Sequence, residues 1–139
     1  MIDFDKKPIV LYLAYEPLGI NFLNKFIKNY NKFSSGFDHE LVICFKGFTE
    51  KKLIEWENLI PIKYTKFDDS YNKNDYDIGS FLRIAKKYHD RYILFIGTYT
   101  KPITENWLKI FINHYKVKSL VGATASYASL SSMFLNFFF

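Results

Sequence analysis

Pro8-Ile9-Val10-Leu11-Tyr12-Leu13-Ala14 is a continuous apolar run that Glu16-Pro17-Leu18-Gly19 brings to an end. A strand buried on both faces of a sheet reads this way, because neither of its sides meets water. From Asn21 the period changes. Phe22, Phe26, Tyr30 and Phe33 recur three or four residues apart, with Lys25, Lys28 and Lys32 between them. That spacing predicts an amphipathic helix ending near Ser34-Ser35-Gly36. Together the two segments form one strand-helix unit.

The cycle then repeats. Glu40 to Phe45 is a second apolar strand, and Thr49 is placed to cap a helix carrying Leu53, Ile54 and Trp56. Pro61 to Phe67 alternates apolar and polar residues, as a strand near a sheet edge does, and Asp68 to Asp75 reads as a polar loop. Beyond it the pattern predicts a helix from about Ile78 to Tyr88 and a strand from Tyr92 to Ile96. A helix capped by Thr104 and a strand from Ser119 to Ala123 follow. Strand and helix alternate throughout, and parallel neighbours need helical crossovers. The expected fold is therefore α/β, with three layers (α/β/α) and a mostly parallel sheet. Ligands of such sheets gather beyond the carboxyl ends of the strands. That rule selects Ala14 to Leu18, Lys46 to Phe48, Asp68 to Gly79 and Gly97 to Lys101.

A length of 139 residues suits one domain with a single core. Apolar content of 49% and aromatic content of 20% exclude a disordered chain. Cys44 is the only cysteine, so no internal disulfide forms and a reducing compartment fits best. The acids at Asp3 and Asp5 stand where a signal peptide carries basic residues, which points to the cytoplasm. Residues 1–70 balance 10 Lys against 10 acids, whereas residues 71–139 set 9 Lys or Arg against 4 acids. The whole excess of +5 thus lies in the second half, where it can face phosphates or the anionic inner surface of a membrane. Lys outnumbers Arg 17 to 2 and no nucleic-acid motif is present, so nucleic acid is not expected as a partner. Ser119 to Phe139 carries no charge and ends in three Phe, which reads as the tail of a domain cut short. Its Ser and Thr content argues against a membrane anchor.

Two places have residues suited to chemistry. Asp77 is either the N-cap of the helix from Ile78 or, with Asp75, an acceptor for ribose or sugar hydroxyls. Gly79 would let a ligand approach the backbone, and Arg83, one turn further on, would reach a phosphate. Gly97-Thr98-Tyr99-Thr100-Lys101-Pro102 is either an ordinary strand-to-helix turn or a metal-free site for a sugar diphosphate. In the second case Gly97, Thr98 and Thr100 would line it. No carboxylate lies between Arg91 and Lys101, so no divalent metal and no other cofactor is expected at this turn. His39, His89 and His114 show no ligand spacing, and Cys44 reads as a packing residue.

Val10 to Ala14, His39 to Phe48, Asn74 to Arg83, Tyr92 to Pro102 and Val121 to Ser126, taken in order, resemble the N-terminal part of bacterial glycosyltransferase-like proteins. These are related to inverting enzymes of the GT-A fold, including family 2. The resemblance implies a nucleotide-diphosphate sugar as donor and a glycan or glycolipid as acceptor, in the synthesis of cell-surface polysaccharide or lipopolysaccharide. It implies Ala14, Tyr15 and Glu16 near the base, and Asp75, Asp77, Gly79 and Arg83 near ribose or phosphate. Gly97-Thr98-Tyr99 stands where the family carries Asp-any-Asp, a departure from metal-dependent donor binding. The general base belongs to the family's C-terminal half, so no residue here takes that role. A non-catalytic binding or scaffold domain of the same fold is the alternative.

Overall fold

The computed structural model describes residues 5–72, 74–115 and 121. Strand β1 (Ile9–Tyr15) runs into a single 3-10 turn (Glu16–Leu18) and helix α1 (Ile20–Lys32). Then come β2 (Glu40–Lys46), α2 (Glu50–Leu59), β3 (Thr65–Asp69), α3 (Tyr76–Lys87), β4 (Ile93–Ile96) and α4 (Trp107–His114). The four strands form one sheet in the order β3-β2-β1-β4, and every neighbouring pair is parallel. The α/β class and parallel sheet expected from the alternating pattern are present. Expected strand 119–123 and the uncharged tail lie outside the described residues, Val121 excepted.

Alternation along β1 and β2 assigns side chains to the two faces. Val10, Tyr12 and Ala14, with Leu41, Ile43 and Phe45, meet Leu23 and Phe26 of α1, Leu53 and Trp56 of α2, and Trp107 and Leu108 of α4. Tyr12 stacks on Phe26 with ring centroids 4.1 Å apart. On the other face Ile9, Leu11, Leu13, Val42 and Cys44 pack against Ile84 of α3. Both faces of β1 and β2 are thus sealed by helices, which is why those strands read as unbroken apolar runs.

At the amino edge of the sheet, Glu40 ties β2 to β3 and to the segment just before β4. Its carboxylate accepts from the Thr65 hydroxyl and from Arg91, each at 2.7 Å. Those two bonds hold the Glu40 carboxyl below its usual range. The helix starts show how far local signals reach. Thr49 caps α2 as read, its hydroxyl accepting from the Lys52 amide at 3.4 Å. Helix α4, however, begins after Asn106 rather than after Thr104. Asn106 is left-handed (φ +58), and its amide donates to the Ser34 carbonyl at 2.7 Å. The end of α1, distant in sequence, sets that start. Among the described residues, no helix is long and apolar enough to cross a membrane.

Candidate functional site

The strand order reverses between β1 and β4, since β2 and β3 lie to one side of β1 and β4 to the other. The crevice outside such a reversal is where open parallel sheets bind ligands. Here its walls are the turn after β1 and the turn after β4. Two buried hydrogen bonds fasten the β4 turn to strand β1. The Tyr12 hydroxyl donates to the Thr98 carbonyl, and the Thr98 hydroxyl donates to the Leu13 carbonyl, both at 2.8 Å. Thr98, expected to contact a ligand, is therefore buried and spends its hydroxyl on β1. Gly97 is different: a β-carbon there would meet nothing within 4 Å. Thr100 is exposed, its amide closing the turn onto the Gly97 carbonyl at 2.9 Å, and exposed Tyr99 sets its ring edge-on to Phe22 at 4.8 Å.

On the β1 side the nominated residues divide. Ala14 is buried in the sheet, so its side chain faces the core and not the crevice. Tyr15 is half-buried and lies over Gly47, where φ is +78 and a β-carbon would come within 3.0 Å of the Tyr15 ring. Only glycine is comfortable there on both counts. Glu16 is half-buried and opens the 3-10 turn.

The densest chemistry lies along the same edge, at a row the register defines: Tyr15 pairs with Lys46, and Lys46 with Asp69. Strand parity turns Lys46 and Asp69 toward α3, beside Cys44 and Val42. The side chains of Lys46 and Asp69 are each only 2% exposed. A charge so buried is tolerated only when paired and hydrogen-bonded. Asp69 accepts from the Ser80 hydroxyl at 2.6 Å, from Arg83 Nε at 2.7 Å and Nη2 at 2.5 Å, and from the Asn72 amide at 2.8 Å. Lys46 Nζ donates to Ser80 Oγ at 3.1 Å and to Asp75 Oδ1 at 2.5 Å. Arg83 Nη1 takes the other oxygen, Asp75 Oδ2, at 2.5 Å.

This network reassigns three sequence expectations. Helix α3 starts at Tyr76, two residues before the expected Ile78, and Asp75, not Asp77, holds the N-cap position. Asp75 makes no cap hydrogen bond, because both its oxygens go to Lys46 and Arg83. Asp77 lies exposed in the first turn, where its charge suits the positive end of the helix dipole. Gly79 does admit a close neighbour, but that neighbour is the Asp75 carboxylate, which a β-carbon would overlap. Arg83 is engaged by two carboxylates.

Electrostatics follow the contacts. Burial pushes the Asp69 carboxyl upward, yet the bonds from Arg83, Ser80 and Asn72 outweigh it and leave it below its usual range. Arg83 first, then Lys46, hold the Asp75 carboxyl far below the carboxylate range. Lys46, Asp69 and Ser80 were not nominated individually from sequence. The carboxyl-edge rule did select the segments that hold Lys46 and Asp69, and a lysine closing an apolar strand was the available signal. Among the described residues, no group of three or more His, Cys, Asp or Glu side chains is placed to hold a metal ion. Compared with protein-family models, curated proteins and solved structures, the chain matches none.

Proposed function

We propose that the chain is the donor-binding portion of a glycosyltransferase-like protein of the GT-A fold. It takes a nucleotide-diphosphate sugar and serves transfer to a glycan or glycolipid acceptor in the synthesis of cell-surface polysaccharide or lipopolysaccharide. The observation that carries the reading is the reversal of strand order between β1 and β4. It brings Glu16 and the unobstructed Gly97 to the two sides of one crevice, with the Lys46, Arg83, Asp69 and Asp75 network along the same carboxyl edge. Base and sugar would lie in the crevice between the turns, and the diphosphate toward the cations. The resemblance noted in the sequence supports the sugar donor in particular.

A second reading is a non-catalytic nucleotide-sugar-binding or scaffold domain of the same fold. One observation favours it: Arg83 and Lys46 are already satisfied by carboxylates, and Thr98 by β1. The first reading and the nucleotide-sugar-binding form of the second require donor binding, whereas a scaffold does not. A uridine or guanosine diphosphate sugar is expected to raise the melting temperature, since a ligand that binds only the folded chain stabilises it. No shift with any nucleotide sugar at millimolar concentration would sink the donor site and leave only the scaffold. Because the general base belongs to the family's C-terminal half, the two are separated with the complete gene product and acceptor glycans present: transfer selects the first, and donor binding without hydrolysis or transfer selects the second.

A further inference from the structure

We propose that Lys46 and Arg83 form a diphosphate-binding pair, and that Asp75 occupies its anion position as an internal carboxylate which a diphosphate displaces. The inference deepens the donor-binding reading by naming the atoms that take the phosphates.

Geometry comes first. The two oxygens of Asp75 are divided between two cations, Oδ1 to Lys46 Nζ and Oδ2 to Arg83 Nη1, each at 2.5 Å. A phosphate bridging a lysine and an arginine would use two of its oxygens the same way. Exposure comes second. Asp75 is 40% exposed and Arg83 32%, whereas Lys46 and Asp69 are 2% exposed. Asp75 is thus the outer carboxylate of the network and Asp69 the inner one. An anion arriving from solvent meets the cations where Asp75 now stands.

Charge comes third. With Asp75 in place, two cations face two carboxylates. With Asp75 swung out, Lys46 and Arg83 face Asp69 alone, and the site carries one net positive charge. Asp69 keeps both cations in place, since Arg83 grips it through two nitrogens and Ser80 links it to Lys46. The site therefore stays built when Asp75 leaves. Ser70, one residue past Asp69, is buried with a hydroxyl that meets no hydrogen-bond partner among the described residues.

The test is calorimetric titration of the whole chain with inorganic pyrophosphate, without metal. Pyrophosphate carries neither base nor sugar. A null with pyrophosphate alongside binding of a nucleotide sugar would sink only this proposal, and the converse result only the donor reading. Asp75→Asn and Asp75→Ala are expected to bind pyrophosphate about tenfold or more tightly than the wild type, because the competing charge is gone. Adding Lys46→Met to Asp75→Ala is expected to abolish the gain. Arg83→Gln, at a half-exposed position, gives the same readout if the lysine change is not tolerated. Equal affinity in wild type and Asp75 variants overturns the proposal, as does a gain that survives loss of either cation. Failure of both Asp75 variants to fold overturns it too, since a displaceable carboxylate is not a required strut.

Discussion

The Asp75 carboxylate rests against the bare Cα of Gly79, where any β-carbon would overlap it. The Gly79 amide also donates to the Asp75 carbonyl at 3.1 Å, so the two residues form the first closed turn of α3. A glycine inside a helix ordinarily weakens it. Here its bare Cα gives the carboxylate room to reach Lys46 and Arg83 together.

That relationship fixes the sign of a substitution. Gly79→Ala in an exposed helix would stabilise by about 0.5–1 kcal/mol through backbone entropy. In this chain it is expected to destabilise, because Asp75 must leave its two cations. In an Asp75→Ala background the ordinary gain should return. Urea unfolding of the four proteins of this cycle measures it. The same sign in both backgrounds would refute the contact.

Strands β1 and β2 were legible because burial on both faces leaves an unbroken apolar run, and Thr49 because a cap acts within three residues. Strand β3 was displaced. Pro61 to Phe67 alternates convincingly, yet the ladder runs from Thr65 to Asp69. Two adjacent aspartates read as loop, and it is chiefly Lys46, Ser80 and Arg83, with Asn72 beside them, that make Asp69 acceptable in a buried strand. All but Asn72 are far from it in sequence. Asp75 was missed as an ion-pair partner for the same reason: its position beside a helix start suggested local or ligand contacts, while its partners come from β2 and from two turns into α3.

Acid should loosen the same network. Asp69 and Asp75 both titrate lower in the folded chain than in the unfolded one. Carboxyls depressed on folding contribute stability that is complete above their unfolded values, near pH 4, and is lost as pH falls through that value toward the folded ones. The urea midpoint is therefore expected to fall between about pH 5 and pH 2. Asp69→Asn should start lower at neutral pH and show a shallower decline. An unchanged slope in that variant would mean that other carboxyls, such as Glu40, carry the effect.

Cys44 should be inert until the chain opens. Burial, then the negative charge of Asp69, pushes its thiol up to about 12, and the residue is fully enclosed. The thiolate is the reactive species, so it is almost absent at neutral pH. A disulfide reagent is expected to label Cys44 only as fast as β2 is exposed, with a rate that follows urea concentration. Rapid labelling of the native chain would contradict the sealing of this face by α3.

Stability and binding should separate across the crevice. Tyr12→Phe removes the donor to the buried Thr98 carbonyl, and leaving such a group unpaired costs about 1–3 kcal/mol. Gly97→Asp meets no neighbour, has no positive φ to strain, and should leave the urea midpoint nearly unchanged. Under the donor-binding reading their ligand effects reverse. Gly97→Asp puts a carboxylate beside the diphosphate and should weaken the thermal shift by a nucleotide sugar, or make it depend on added magnesium or manganese. Tyr12→Phe, buried behind the turn, should preserve most of the shift on a lower baseline. If Gly97→Asp left the nucleotide-sugar shift intact with and without metal, the crevice between the β1 and β4 turns would not be where the donor lies.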